Sequence, residues 1–217
     1  MSVVPSPAPI RTLADLMKRL GWVPLDRIRF HPAPGTATVQ DVIDIQAQED
    51  RLCELVEGVL VEKVMGYTEA LLAAWITTPL NNFVQPRNLG LVTGADGTVE
   101  LMPDLVRIPD VAFTSWDRMP GRRRPTQPVP RLVPDLAVEV LSRSNTPGEM
   151  DTKRDEYFTA GVSVVWEIDP VARTVTVYTS RTQSQTLHVG DALDGAPVLP
   201  GFALPLAQFF DELDRHG

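Results

Sequence analysis

Apolar and polar positions along this chain switch between two periods, and the switches mark the elements. In residues 10–20, IRTLADLMKRL, the apolar groups Leu13, Leu16, Met17 and Leu20 recur at helical spacing and stop at Gly21, which predicts a short amphipathic helix. Residues 22–50 carry Pro24, Pro32 and Pro34 and show no firm period, so an irregular stretch is expected, with a helix near residues 39–48. Two apolar runs, Arg51–Val56 and Val59–Val64, flank Glu57-Gly58, the composition of a tight hairpin. A long helical stretch covers Tyr67–Val84, where Pro79 permits a kink or an early end. Turn signals at Gly90, Gly94 and Gly97 separate short strands that lead to a strand over Leu105–Thr114, with RIPDVAF at its centre. Asp135–Leu141 is the most strand-like segment. A helix over Pro147–Ala160 follows, then strands at Val162–Ile168 and Thr174–Thr179, a weaker one near Gln185–Val189, and a helical turn near Leu206–Leu213. Strands and helices mixed in this order predict an α/β fold, a central mixed sheet flanked by helices.

The informative charges are those standing where the pattern demands apolar residues. In DLAVEVL, alternation puts Leu136, Val138 and Val140 on one face and Asp135, Ala137, Glu139 and Leu141 on the other. Glu139 lies between Ala137 and Leu141 on a face that also reads as buried, where a carboxylate costs several kcal/mol unless it is paired, protonated or metal-bound. In RIPDVAF, Val111 and Phe113 share one side, leaving Asp110 on the other with Ala112. Two carboxylates on adjacent strands can share one hard cation, and Mg²⁺ is satisfied by one or two of them plus waters and phosphate oxygens. Thr146-Pro147-Gly148-Glu149 has the form of a capping box with Pro at the first helical position, and Gly161 is a natural stop. That frame puts Met150, Lys153, Tyr157 and Ala160 on one face, so Lys153 either snorkels out or points at the acids. Pointing inward, it can orient or help deprotonate an attacking water and offset charge on a phosphoryl transition state. Glu69, on a helical face with Leu72, Ala73, Ile76 and Leu80, and Glu54, on a strand face with Leu52 and Val56, are further candidate metal ligands. The bland alternative is that Asp110 and Glu139 are half-exposed and paired with arginines, with Lys153 on a solvated helix.

Composition narrows the classes. The 217 residues suffice for one substantial core, read as an N-terminal arm and helix over residues 1–49, the first nine forming a loose proline-rich arm, and a main domain over 50–217. No apolar run approaches the roughly 18 to 20 residues of a membrane span, and the amino terminus has no basic start followed by an apolar stretch, so a cytoplasmic protein is expected. The single cysteine, Cys53, lies in the apolar run LCELV and reads as a packed thiol. Lys and Arg total 20 against 28 Asp and Glu, a net charge of -8, which argues against a general nucleic-acid binder but not against a nuclease with clustered acids. The best basic patch, Arg118, Arg122, Arg123, Arg124 and Arg131, is either a solvated loop or a phosphate contact. His31, His188 and His216 lack metal-ligand spacing, and neither GxxxxGK[ST] nor GxSxG occurs.

The run VPDLAVEVLSRSNTPGEMDTKRDEYFTAGVSVVWEIDP, residues 133–170, resembles the signature stretch of the Uma-two family of restriction endonucleases, with RIPDVAF and ELVEG (residues 54–58) in the family's order upstream. The resemblance covers roughly residues 50–180. It implies the PD-(D/E)XK, restriction-endonuclease-like fold, DNA as substrate, and often a homodimer. Residue by residue it makes Asp110 the Pro-Asp acid, Glu139 the acid of the central strand and Lys153 the lysine of the following helix. ELVEG points to Glu54 as an accessory acid and MGYTE to Glu69. It departs at one place: the wider superfamily carries its lysine two residues after the strand acid, and here that residue is Leu141. The expectation is an endonuclease that hydrolyses DNA phosphodiester bonds with Mg²⁺ or Mn²⁺ through Asp110, Glu139 and Lys153; the alternative is a catalytically silent nuclease-fold module that binds a partner.

Overall fold

The alternation in residues 51–64 closes as a hairpin in the computed structural model, which describes residues 10–214. The arm expected over residues 1–9 lies outside them. Two short helices come first, α1 (Leu13–Arg19) and α2 (Val39–Glu49). Each opens on a reciprocal capping box, Thr12 with Asp15 and Thr38 with Asp41, which satisfies amide groups that a helix start leaves unpaired. Strands β1 (Cys53–Val56) and β2 (Val59–Glu62) pair antiparallel around Glu57-Gly58. Both turn residues have positive φ, 50° and 73°, as a tight two-residue hairpin turn requires. Helix α3 (Tyr67–Val84) runs through Pro79 to its full predicted length, because Leu80 and Val84 beyond the proline are fully buried and hold the last turns down.

Four short strands follow, β3 (Gly90–Thr93), β4 (Val99–Met102), β5 (Leu105–Arg107) and β6 (Val111–Ser115). Then come β7 (Leu136–Val140), α4 (Pro147–Ala160), β8 (Val164–Asp169), β9 (Thr174–Tyr178) and β10 (Ser184–Leu187). A small pair, β11 (Ala192–Asp194) and β12 (Ala203–Pro205), and helix α5 (Leu206–Asp211) end the fold. The six-stranded sheet has the order β10-β9-β8-β7-β6-β3, with β7 and β8 parallel across the α4 crossover and the other neighbours antiparallel. A second, antiparallel sheet has the order β2-β1-β5-β4.

One predicted element divides. The strand expected over Leu105–Thr114 is two strands in two sheets, β5 in the four-stranded one and β6 in the six-stranded one. Pro109 has no N–H to continue a ladder, and the chain changes sheets across Ile108-Pro109-Asp110. Asp110 therefore stands at the hand-over between the two sheets.

The strand faces sort into three apolar layers. Leu136, Val138 and Val140 of β7, with Val111 and Phe113 of β6, pack under α3 and α5. The opposite face, through Ala137 and Val165, meets Tyr157 of α4, α1, and Val56, Val59 and Val61 of the small sheet. The far side of the small sheet, Leu55, Leu60, Val106 and Cys53, is covered by Val42 and Ile45 of α2. Cys53 is a packed thiol, pushed by burial up to about 11. Alternation then decides where the charges go: Glu139 shares its face with Ala137, Glu54 with Val56, Arg107 with Leu105, so all three project into the middle layer between the sheets.

The start of α4 is pinned from the amino-terminal side. Thr146 Oγ1 donates to Gly21 O at 2.6 Å, and Gly21 and Gly148 lie back to back. Gly21 has φ +68°, and a Cβ there would run into the Gly148 carbonyl. Among the described residues, no helix is long and apolar enough to cross a membrane. Gly21→Ala should lower stability by on the order of 2 kcal/mol or more, read as a drop in melting temperature, because it combines a disfavoured φ with a backbone collision at the root of α4.

Candidate active site

The middle layer holds a ladder of charges that no pairwise stretch of sequence displays. Lys153, from the buried face of α4, puts Nζ 3.2 Å from Glu54 Oε1 and 3.3 Å from Glu139 Oε2. Tyr157, one turn on, donates its hydroxyl to Glu139 Oε1 at 2.5 Å. Behind Lys153, Glu54 is closed off: Oε2 receives Arg107 Nη1 at 2.7 Å and Oε1 receives Ile108 N at 3.2 Å. Arg107 also pairs with Glu156 of α4, through Nε at 2.7 Å. On the other side of Glu139, Asp110 Oδ2 accepts Val140 N at 2.7 Å, and Asp110 Oδ1 meets Lys63 Nζ at 2.7 Å. Lys63 Nζ donates as well to Ile108 O at 2.5 Å. Glu54, Arg107, Asp110, Glu139 and Lys153 are all at most 5% exposed.

Burial and charge together set the protonation states. Burial favours neutral Glu54, but Lys153, Arg107 and Lys63 outweigh it and hold the carboxyl well below the ordinary range. Glu139 goes the other way: burial raises it to about 7, helped by the nearby Asp110 and Glu54 charges and only partly opposed by Lys153 and Lys63. Lys153 is raised, because Glu139 and Glu54 overcome the burial that would lower it, so it keeps its charge through the neutral range. Burial and Glu139 raise Tyr157 well above the ordinary phenol range, so its hydroxyl stays a donor.

Asp110, Glu139, Lys63, Lys153 and Glu69 line one small polar cavity of about 20 Å³. That volume admits one water or one small ion. Beside it opens a groove of about 970 Å³ that shares Val64, Glu69, Ser142 and Asn145 with it. The donors are hard oxygens, the set Mg²⁺ prefers. Among the described residues no three His, Cys, Asp or Glu side chains are grouped to hold a metal by themselves. Asp110 and Glu139 are the carboxylates here that could hold such a cation, with water or phosphate oxygens completing its shell.

The sequence model of the Uma2 family, described as "putative restriction endonuclease", matches residues 39–207. The chain belongs to the Uma2 family. The crystal structure of a protein described as a "putative nuclease belonging to DUF820", from Anabaena variabilis, matches the Uma2 chain with a TM-score of 0.67 at 19% identity, over 76% of this chain and 92% of that one. At that identity the likeness speaks for the fold: the Uma2 chain has the α/β, restriction-endonuclease-like architecture, a central mixed sheet flanked by helices. No curated protein matches the sequence.

Of the residues singled out in the sequence of the Uma2 chain, Asp110, Glu139, Lys153 and Glu69 meet at the small cavity, while Glu54 stands behind Lys153 and does not line it. Lys153 reaches the acids from its helix. The capping box at Thr146 forms by half: Thr146 Oγ1 accepts Glu149 N at 3.1 Å, but the Glu149 carboxylate turns to the buried Arg27, 2.9 Å away. The arginine patch splits. Arg118 is a structural tie to Asp135, Gly161 O and Ser163; Arg122 and Arg131 pair with Asp117 and Glu100; Arg123 and Arg124 line a separate surface cavity. The sequence pattern by itself does not assign Lys63, Arg27, Arg107 or Tyr157 to the site. The signal for Lys63 was present: it continues the face of Val59 and Val61, a lysine in line with two buried valines.

Because Glu139 is raised to about 7, the folded chain keeps a proton that the unfolded chain releases near pH 4.5, so its contribution to stability falls as pH rises from about 4.5 to 7. Glu139→Gln should flatten that slope. Lys153→Met should cost about 3–5 kcal/mol at pH 8, where Glu54 and Glu139 lose the cation that favours their ionised forms, and less at pH 5, where Glu139 is neutral with or without it. Urea denaturation at the two pH values checks both.

Proposed function

We propose that this Uma2 chain is a metal-dependent endonuclease that hydrolyses DNA phosphodiester bonds at the small cavity. The observation that carries the reading is the meeting of Asp110, from the hand-over between sheets, and Glu139, from β7, at one cavity that also receives two lysines, within a restriction-endonuclease-like fold. Asp110 and Glu139 would hold Mg²⁺ or Mn²⁺, with Glu69 in the lining of the same cavity as a further acid. When bound, such an ion polarises a phosphoryl oxygen and lowers the pKa of water.

The remaining roles belong to the chain's own groups. Tyr157 fixes Glu139 Oε1 and leaves Oε2 toward Lys153. Lys153 stays charged, so it acts as an electrostatic partner to negative charge at the cavity and not as a proton acceptor. Glu54, with Arg107 behind it, positions Lys153. The groove beside the cavity gives a strand room to lie next to the acids.

A second reading, a silent nuclease-fold module that binds a partner, is favoured by Leu141 at the superfamily's lysine position and by the engagement of both Asp110 oxygens within the protein. Purified protein with Mg²⁺ or Mn²⁺ is expected to nick or cut DNA, and Asp110→Ala or Glu139→Ala to lower the rate by about a hundredfold or more while the variants remain folded. Metal-independent cutting that survives both changes overturns the nuclease reading. Absence of divalent-cation binding by calorimetry, together with no cutting, selects the silent module.

A further inference from the structure

The two lysines at the cavity are both buried and differ in their partners. Lys153 is walled in, its ammonium shared between Glu54 and Glu139 with Arg107 behind them. Lys63 comes from the end of β2, in the other sheet, and is 8% exposed at its side chain. Its ammonium meets Asp110 Oδ1 at 2.7 Å and Ile108 O at 2.5 Å. Asp110 spends its second oxygen, Oδ2, on the backbone amide of Val140. The Asp110 oxygen that carries no backbone hydrogen bond is thus the one Lys63 occupies.

We infer that Lys63 is the mobile cation of this site: it neutralises Asp110 Oδ1 when no metal is bound, gives that oxygen up to a divalent ion, and then presents its ammonium to the scissile phosphate. It thereby supplies from β2 the charge that Leu141 cannot supply from β7. The inference rests on the metal-dependent reading above and adds a substrate-contacting residue to it. Its physical basis is competition. A unit charge at 2.7 Å from Oδ1 must be displaced or pushed aside before a second cation can bond the same oxygen in a cavity of about 20 Å³. Lys63 therefore weakens metal binding while assisting the chemistry, two effects that a merely structural lysine cannot separate.

The test is a calorimetric titration of Mn²⁺ into wild type, Lys63→Met, Lys63→Arg and Asp110→Asn, alongside cleavage rates and melting curves. Lys63→Met should bind Mn²⁺ at least about fivefold more tightly than wild type, gain more melting temperature from Mn²⁺, and yet cut at least about tenfold more slowly. Lys63→Arg keeps the charge on Asp110 and should bind Mn²⁺ within about twofold of wild type, which guards against a folding defect in the methionine variant. Unchanged or weaker Mn²⁺ binding in Lys63→Met, with binding lost in Asp110→Asn, overturns the Lys63 role and leaves the metal site standing. Equal Mn²⁺ affinity in wild type and Asp110→Asn overturns the metal site and the Lys63 role together.

Discussion

The bond on which the rest of this molecule depends is the shared ammonium of Lys153. It joins Glu54 of the four-stranded sheet to Glu139 of the six-stranded sheet, and it does so from the helix that crosses between β7 and β8. Each group alone would be costly to bury; together they exchange hydration for mutual attraction and hydrogen bonds. Arg107 and Tyr157 complete the exchange, Arg107 by neutralising Glu54 and Glu156, Tyr157 by capping the remaining oxygen of Glu139. The apolar residues around them, Val56, Val59, Ala137 and Val165, hold the sheets against α4 and exclude the water that would otherwise dissolve the network.

The balance of that arrangement is uneven, and the same burial leaves its two glutamates in different protonation states. Glu54 is so surrounded by cations that it stays ionised, whereas Glu139, facing Asp110, titrates near neutrality. Acids pushed apart in this way are common at functional sites, and buried structural ion-pair networks shift acids by the same physics. Glu139 also stands on the open side of the network. Asp110, Glu139 and Lys63 face the small cavity, and the cavity meets the groove bounded by the loop Ser142–Asn145 and the start of α3.

The proline before Asp110 links this chemistry to topology. By ending β5 it lets the chain leave one sheet and enter the other, and the residue at the crossing is the acid itself. Read as one strand, RIPDVAF puts Asp110 opposite Val111 and Phe113, which is the side it takes; what the local pattern misses is that Arg107 and Asp110 serve different sheets. The local pattern leaves Lys63 and Arg107 unassigned for a related reason. Each is a charge in line with buried apolar neighbours, Val59 and Val61 or Leu105, the same signal that marks Glu139. A lysine or arginine at a strand end, however, is read by default as snorkelling to water.

What the sequence determined by itself was which face each charge takes. Alternation along β1 and β7 turned Glu54 and Glu139 away from the cores of α2 and α3, and the frame set by Thr146 and Gly161 turned Lys153 inward, because periods of 2 and 3.6 are local backbone properties. Tertiary structure decided which of those faces meet. That Lys153 lies between two acids, that Glu149 leaves its cap for Arg27, and that Lys63 covers Asp110 all depend on sheets and helices separated by tens of residues, and on the energy of buried charges, which is set by the partners that packing brings within about 3 Å.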